Sequence, residues 1–342
     1  MVGIAELARG RAWTVVARIV AVLAIGVLAF IGAQRDQEGN QHFDVFDEGA
    51  HFDYVLRLSE GQIPKWGTQL SQETMLIETC LGDTYSTAAD DCTVKNRDPN
   101  GFAAGGFSYE AQQPPLGYVP YLPGMYLSTG LSPAATLDLV RDLGGSVLLL
   151  LACALLFVIA TKLRMGFWRT LLLSGITLLA PISIHAFSTV TNDGSTLVAA
   201  LLFVAAWLVT GRWSRRGALI AGVVTGAVLG ATKSYTVLLP AALVVALVLI
   251  TLLTDRFARP AWRSLWHRPD LRYALGSLAG SVVVAIGFLI VQSVRATTPA
   301  SHVLHSLLGF APPVSNVQAR TVISSIANLT NNWLGPSDGL VR

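Results

Sequence analysis

The run IVAVLAIGVLAFIGA (Ile19–Ala33), followed after a short polar link by FDVFDEGAHFDYV (Phe43–Val55), decides what kind of protein this is. With its flanks, residues 14–33, the first stretch can cross a hydrocarbon core as a helix. The second sets Asp44, Asp47, Glu48, His51 and Asp53 where that helix leaves the bilayer. Ionisable groups at that depth are costly and mark function when they gather.

The rest of the chain repeats the apolar theme. Of 342 residues, 52% are hydrophobic and 13% charged, with a mean hydropathy of +0.54, too apolar for a soluble domain of this length. The net charge of +3 is spread along connectors and forms no basic, aromatic-interleaved patch, so no nucleic-acid partner is expected. Arginine outnumbers lysine 20 to 4 and Ala, Gly and Val abound, a bias that fits a GC-rich bacterial genome.

Seven stretches have the length and apolarity of a span: 14–33, 137–160, 170–191, 195–211, 217–232, 235–254 and 272–292. Threaded in that order, the connectors at Lys162/Arg164/Arg169, Arg212/Arg215/Arg216 and Arg256/Arg259/Arg263/Arg268/Arg272 share one side with Arg9 and Arg11. The positive-inside rule makes that side, and the N-terminus, cytoplasmic. The expected fold is an all-α polytopic membrane protein of about seven transmembrane helices, with a large first extracytoplasmic loop carrying juxtamembrane helices. Its parts are 1–33 (N-terminus and first helix), 34–136 (the loop), 137–292 (helices two to seven) and 293–342, an external segment whose end suggests the front part of a longer protein. The first span reads as a retained anchor, because Ile31 and Ala33 make a poor signal-peptidase site.

Within the loop, PPLGYVPYLPGMYLSTGLSP (114–133) is apolar, but its prolines break helical hydrogen bonding. It reads as a re-entrant or interfacial piece anchored by Tyr118, Tyr121 and Tyr126. Cys80 and Cys92 share the external loop and form a permitted disulfide worth roughly 2–3 kcal/mol. Cys153 lies in an apolar run.

Helical spacing lets Asp47 or Glu48 share a face with His51, while Asp53 and Arg57 make an i, i+4 pair on solvated surface. An acidic cap on a juxtamembrane helix would explain the cluster as well. Other segments reach the same level: Arg141 and Asp142 open the second span, Asn192 and Asp193 end the third, and Lys233 ends the fifth. Lys233 stands between apolar runs on the side where basic residues are scarce. Carboxylates facing cations at the lip of a helical bundle suit an anionic lipid head group and a reaction upon it. Tyr109, Glu110, Gln112 and Gln113, just before the proline pair, can hydrogen-bond sugar hydroxyls.

FDEGAHFDYV resembles the Asp-Glu motif of glycosyltransferases of the C superfamily, which includes the dolichyl-phosphate-mannose protein mannosyltransferases and bacterial polyprenyl-phosphate-sugar transferases. YEAQQPPLGY, VRDLGGSVLLLLACALLFVIA, TNDGSTL and GATKSYTVLLP resemble later segments of that family in the same order, although Gln113 stands where many relatives carry histidine. The resemblance implies inverting transfer of a sugar from a polyprenyl-phosphate donor to a glycan, lipid or protein acceptor at the outer face of the plasma membrane. It assigns Asp47 as general base with Glu48 as partner, both catalytic, and makes His51, Tyr109, Glu110, Gln113, Arg141, Asp193 and Lys233 substrate-binding, with Arg141 and Lys233 on phosphate. No cofactor and no metal are expected, although the carboxylates leave Mg²⁺ or Mn²⁺ open. Two rivals stand beside this reading. A transporter or flippase would bury its charges nearer the midplane in repeated halves, and a non-catalytic membrane interaction protein would have no use for the outer-face cations.

Overall fold

The computed structural model describes residues 2–44, 47–82, 98–99, 102, 106–254 and 268–297. Among them no strand forms; an isolated bridge pairs Gln69 with Phe107, and the long elements are all helical. Helix α1 (Val2–Gly39) leads into a loop carrying α2 (Glu48–Ser59), α3 (Gln72–Leu81) and the short α4 (Leu122–Leu127). After it come α5 (Pro133–Lys162), α6 (Phe167–Leu178), α7 (Pro181–Ser188), α8 (Asp193–Trp207), α9 (Arg215–Thr232), α10 (Leu238–Thr254) and α11 (Pro269–Arg295).

Five segments are long and apolar enough to cross a membrane: Ala12–Gly39, Pro133–Lys162, Asp193–Arg212, Ser234–Thr251 and Pro269–Arg295. A sixth is present if α6 and α7 count as one crossing. They were expected as an unbroken span over 170–191, but they meet at a 62° bend. Pro181 explains the break: it has no N–H to donate and its ring collides with the carbonyl one turn back. The expected span at 217–232 lies within α9, which opens on Arg215 and Arg216 and is not among these apolar helices.

α9 lies parallel to α11 at very short range. A Cβ on Gly222 would stand 2.3 Å from the Tyr273 carbonyl oxygen, one on Gly226 2.0 Å from that of Ser277, and one on Gly230 2.5 Å from that of Ser281. Gly276 and Gly280 answer from α11, against the carbonyls of Leu219 and Val223. In lipid, where apolar burial gives helices little reason to associate, small residues bring backbones close enough for dispersion to hold them. α9 thus carries the chain from the end where α8 finishes back to the end where α8 begins.

The main core joins Val22, Ile25 and Ala29 of α1 to Leu148, Ala152 and Leu156 of α5, Leu178, Phe187 and Leu201. The proline-rich segment packs into this core through two of the three tyrosines expected to anchor it. Tyr118 and Tyr121 are fully buried, and only Tyr126 is exposed as expected of an anchor. The Tyr121 hydroxyl donates to the carbonyls of Thr189 and Thr191, at 3.2 and 2.8 Å, and Gly144 leaves no room for a Cβ beside its ring.

Asp53 also departs from expectation, being wholly buried. Its carboxylate accepts from Arg57 Nε at 2.8 Å, from the Ser71 N–H at 2.7 Å and from Thr74 Oγ1 at 3.2 Å, joining α2 to the start of α3. Farther along the loop, the far end of α11 holds Ile63–Trp66. Gln292 Nε2 donates to the Pro64 carbonyl at 3.1 Å, Arg295 Nη2 to that of Ile63 at 3.3 Å, and the Thr297 N–H to that of Trp66 at 2.9 Å.

Candidate functional site

The cluster forms at the end of the bundle where α1 and α7 finish and α5 and α8 start. Asp47 caps α2 with a left-handed backbone, φ 77° and ψ −1°. Few residues other than glycine take this conformation, Asp and Asn most readily, and observed strain of this kind often marks a functional position. Its carboxylate is exposed, and Oδ1 accepts the Tyr109 hydroxyl at 2.7 Å. Burial first, and then the Asp47 charge, hold the Tyr109 phenol well above its usual range, so it stays protonated and donates.

One turn on, His51 falls on the same face as Asp47, as the spacing predicts. Asp47, His51 and Glu110 offer ligand atoms within 4.8 Å of one another. This is the trio among the described residues that could hold a cation, drawn from α2 and the 3-10 turn at Tyr109–Gln112. Behind it, the Tyr118 hydroxyl lies 2.9 Å from His51 Nδ1, donates to Glu110 Oε2 at 3.1 Å and accepts from Asn192 Nδ2 at 3.3 Å. Burial, then the charge of Glu110, raises the Tyr118 phenol well above its ordinary value, keeping it neutral. Thr191 Oγ1 meets His51 Nε2 at 3.5 Å.

Glu48 turns away from Asp47. Its side chain is buried against Arg141, which donates from Nε to Oε1 at 2.8 Å and from Nη2 to Oε2 at 2.5 Å. Glu48 accepts two more bonds, from the N–H groups of Val190 and Asp44, each at 2.8 Å. Arg141 spends its remaining reach on the carbonyls of Asn40 and His42, both at 2.8 Å. The expected catalytic partner and the expected phosphate ligand therefore hold each other, at 1% and 0% exposure.

Lys233 is paired with Asp193, whose carboxyl is about half exposed, and its Nζ lies 4.9 Å from the centre of the Tyr235 ring. Gln113 Oε1 accepts the Ser234 N–H at 3.4 Å, and its backbone carbonyl accepts the Tyr54 hydroxyl at 2.9 Å. Asn192 Oδ1 and Ser234 Oγ are buried here without a hydrogen-bond partner among the described residues. Cys80 is half-buried in α3, while Cys92, and with it the expected disulfide, lies outside the described residues.

Sequence reasoning misread Tyr118 as an interfacial anchor and missed His185. His185 Nδ1 is 3.5 Å from Asp36 and Nε2 3.2 Å from Asp44, so it ties the end of α1 to the loop whose N–H groups and carbonyls hold Glu48 and Arg141. The available signal was a lone histidine in an otherwise apolar run, PISIHAFS. No family model, no characterised protein and no solved structure matches the chain, so the arrangement is read from its own chemistry.

Proposed function

We propose that this chain is a membrane glycosyltransferase that moves a sugar from a polyprenyl-phosphate donor to a hydroxyl acceptor, with inversion. The observation that supports it best is the meeting of Asp47, held by Tyr109, with the His51–Tyr118–Glu110–Asn192 network at the same end of the bundle as Lys233. Asp47 takes the acceptor proton on its second carboxylate oxygen as the acceptor oxygen bonds to the anomeric carbon. The bond from that carbon to the phosphate oxygen breaks, the electron pair stays on phosphate, and Lys233 balances the charge that develops there. His51 and Glu110 orient the sugar, and Gln113 and Asp193 complete the substrate contacts. Glu48 and Arg141 belong to the frame, because their hydrogen bonds lock α2 onto α5.

In this reading α9 is a seventh crossing, since α8 ends and α10 starts at opposite ends of the bundle and only α9 joins them. The basic connectors then lie in the bacterial cytoplasm and the site opens on the outer face of the plasma membrane. A flippase is disfavoured because the clustered carboxylates, His51 and Lys233 gather at one end of the bundle rather than near its middle.

Membranes containing the full-length protein, incubated with labelled polyprenyl-phosphate sugars, test the proposal. Label should move to a lipid, glycan or protein product with wild type and not with Asp47→Asn. Transfer by Asp47→Asn at the wild-type rate would remove Asp47 from the mechanism, and label that crosses the bilayer without changing its covalent linkage would identify a flippase.

A further inference from the structure

At the opposite end of the bundle, a cavity of about 620 Å³ opens between α8 and α9. Its walls are Ala206 of α8 and Ile220, Ala221, Val224 and Thr225 of α9, and its mouth is formed by Arg212 and Trp213. Thr225 closes the inner end without offering a polar group. Its hydroxyl already donates to the Ala221 carbonyl at 2.9 Å and is engaged with the Tyr273 hydroxyl, also at 2.9 Å. From Ser214 to Thr225 the helix rises roughly 16 Å, close to the ~15 Å depth of one leaflet's hydrocarbon.

Arg212 lines the mouth, and Arg215 and Arg216 follow it on the first turn of α9. Arg212, Arg215 and Arg216 are exposed and make no ion pair with another described residue. No Asp or Glu occurs in residues 194–254. Asp270, at the start of α11 on this same end, is held by Arg268 at 3.1 and 2.6 Å. An open apolar groove about one leaflet deep, with Arg212 and an indole at its mouth, Arg215 and Arg216 next along the chain and no described counter-charge on any of the three, matches a lipid in both its parts.

We infer that this groove is a binding site for an anionic glycerophospholipid of the leaflet opposite the candidate active site. One acyl chain lies along Ile220, Ala221 and Val224, and the phosphate sits on Arg212, with Arg215 and Arg216 adding positive charge at the same membrane surface. Nothing in this site depends on the proposed transferase activity.

The test is native mass spectrometry of the intact purified protein exchanged into mixed micelles of phosphatidylglycerol and phosphatidylcholine with matched acyl chains. Three basic side chains near a membrane surface predict retention of phosphatidylglycerol over phosphatidylcholine by roughly tenfold or more. The R212Q/R215Q/R216Q variant should lose that preference while still retaining either lipid weakly. Ala221→Trp, which fills the slot, should lower retention of both lipids with the arginines intact, and its unfolding midpoint in the same micelles shows whether it has folded. Soluble glycerol phosphate should fail to displace the bound lipid. Equal retention of the two lipids by wild type, an unchanged preference in the triple variant, or displacement by glycerol phosphate alone would each overturn the inference, as would full lipid retention by a folded Ala221→Trp.

Discussion

Arg141→Met should unfold the end of the bundle that carries the candidate site more than it alters any substrate contact. The substitution leaves the Glu48 carboxylate buried with two N–H donors, those of Val190 and Asp44, and no counter-charge. It also releases the carbonyls of Asn40 and His42. Breaking one side of a buried ion pair costs about 3–5 kcal/mol. Glu48→Gln should cost a similar amount, because the amide nitrogen it introduces at Oε2 would face two donors, Arg141 Nη2 and the Asp44 N–H. Independent effects would sum to about 6–10 kcal/mol in the double variant, whereas removal of both charges together leaves no unpaired ion, and the double variant should remain within ~2 kcal/mol of either single one. Denaturant unfolding in detergent micelles, followed by circular dichroism, measures this cycle. Additivity within ~0.5 kcal/mol would refute the pairing. So would an Arg141→Met protein of wild-type stability that has lost only turnover, which would return Arg141 to the phosphate.

Four further outcomes are expected. Asp47→Asn should lower transfer by about 10²-fold or more with little change in stability, since Asn also accepts the left-handed backbone; labelled-sugar kinetics and thermal melts read the two effects separately. Gly226→Ala should destabilise by about 1–3 kcal/mol, because its Cβ would lie 2.0 Å from the Ser277 carbonyl oxygen, whereas Gly287→Ala on the lipid-facing side, with nothing within 4 Å, should be neutral or slightly stabilising by melt midpoint. Tyr109→Phe removes the donor to Asp47 and should slow transfer without changing the unfolding midpoint, and restored turnover in a Tyr109→His variant would support a need for a donor there. Extensive chelation with EDTA should leave transfer unchanged; a loss reversed by Mn²⁺ would instead place a cation on Asp47, His51 and Glu110.

Hydropathy located most of the long apolar helices, because lipid punishes exceptions to it, but not the break within 170–191. The spacing of Asp47 and His51 likewise predicted a shared face, and the pair is found together with Glu110. What could not be read was who pairs with whom. Glu48 and Arg141 are 93 positions apart, and no local pattern distinguishes a cation that awaits phosphate from one that already holds a carboxylate. Asp53 looked solvated because its i, i+4 partner suffices for a surface pair, and its bonds to Ser71 and Thr74 come from another helix. Tyr118 and Tyr121 misled for a different reason: an amphipathic ring beside prolines suits an interface and a polar core equally. The break at Pro181 has a local signal, a single missing N–H, inside a run whose length and apolarity otherwise suit one continuous span.

The clasp between Pro64 and Gln292 joins residues 228 positions apart. A ribosome adding about 5–20 residues per second needs roughly 10–45 s to make that distance. Throughout that interval, under the proposed topology, the segment after α2 has been exported but cannot yet be fastened. Nascent chains halted before Gln292 should therefore be nicked by an added protease near Ile63–Trp66, and chains released after Thr297 should resist it.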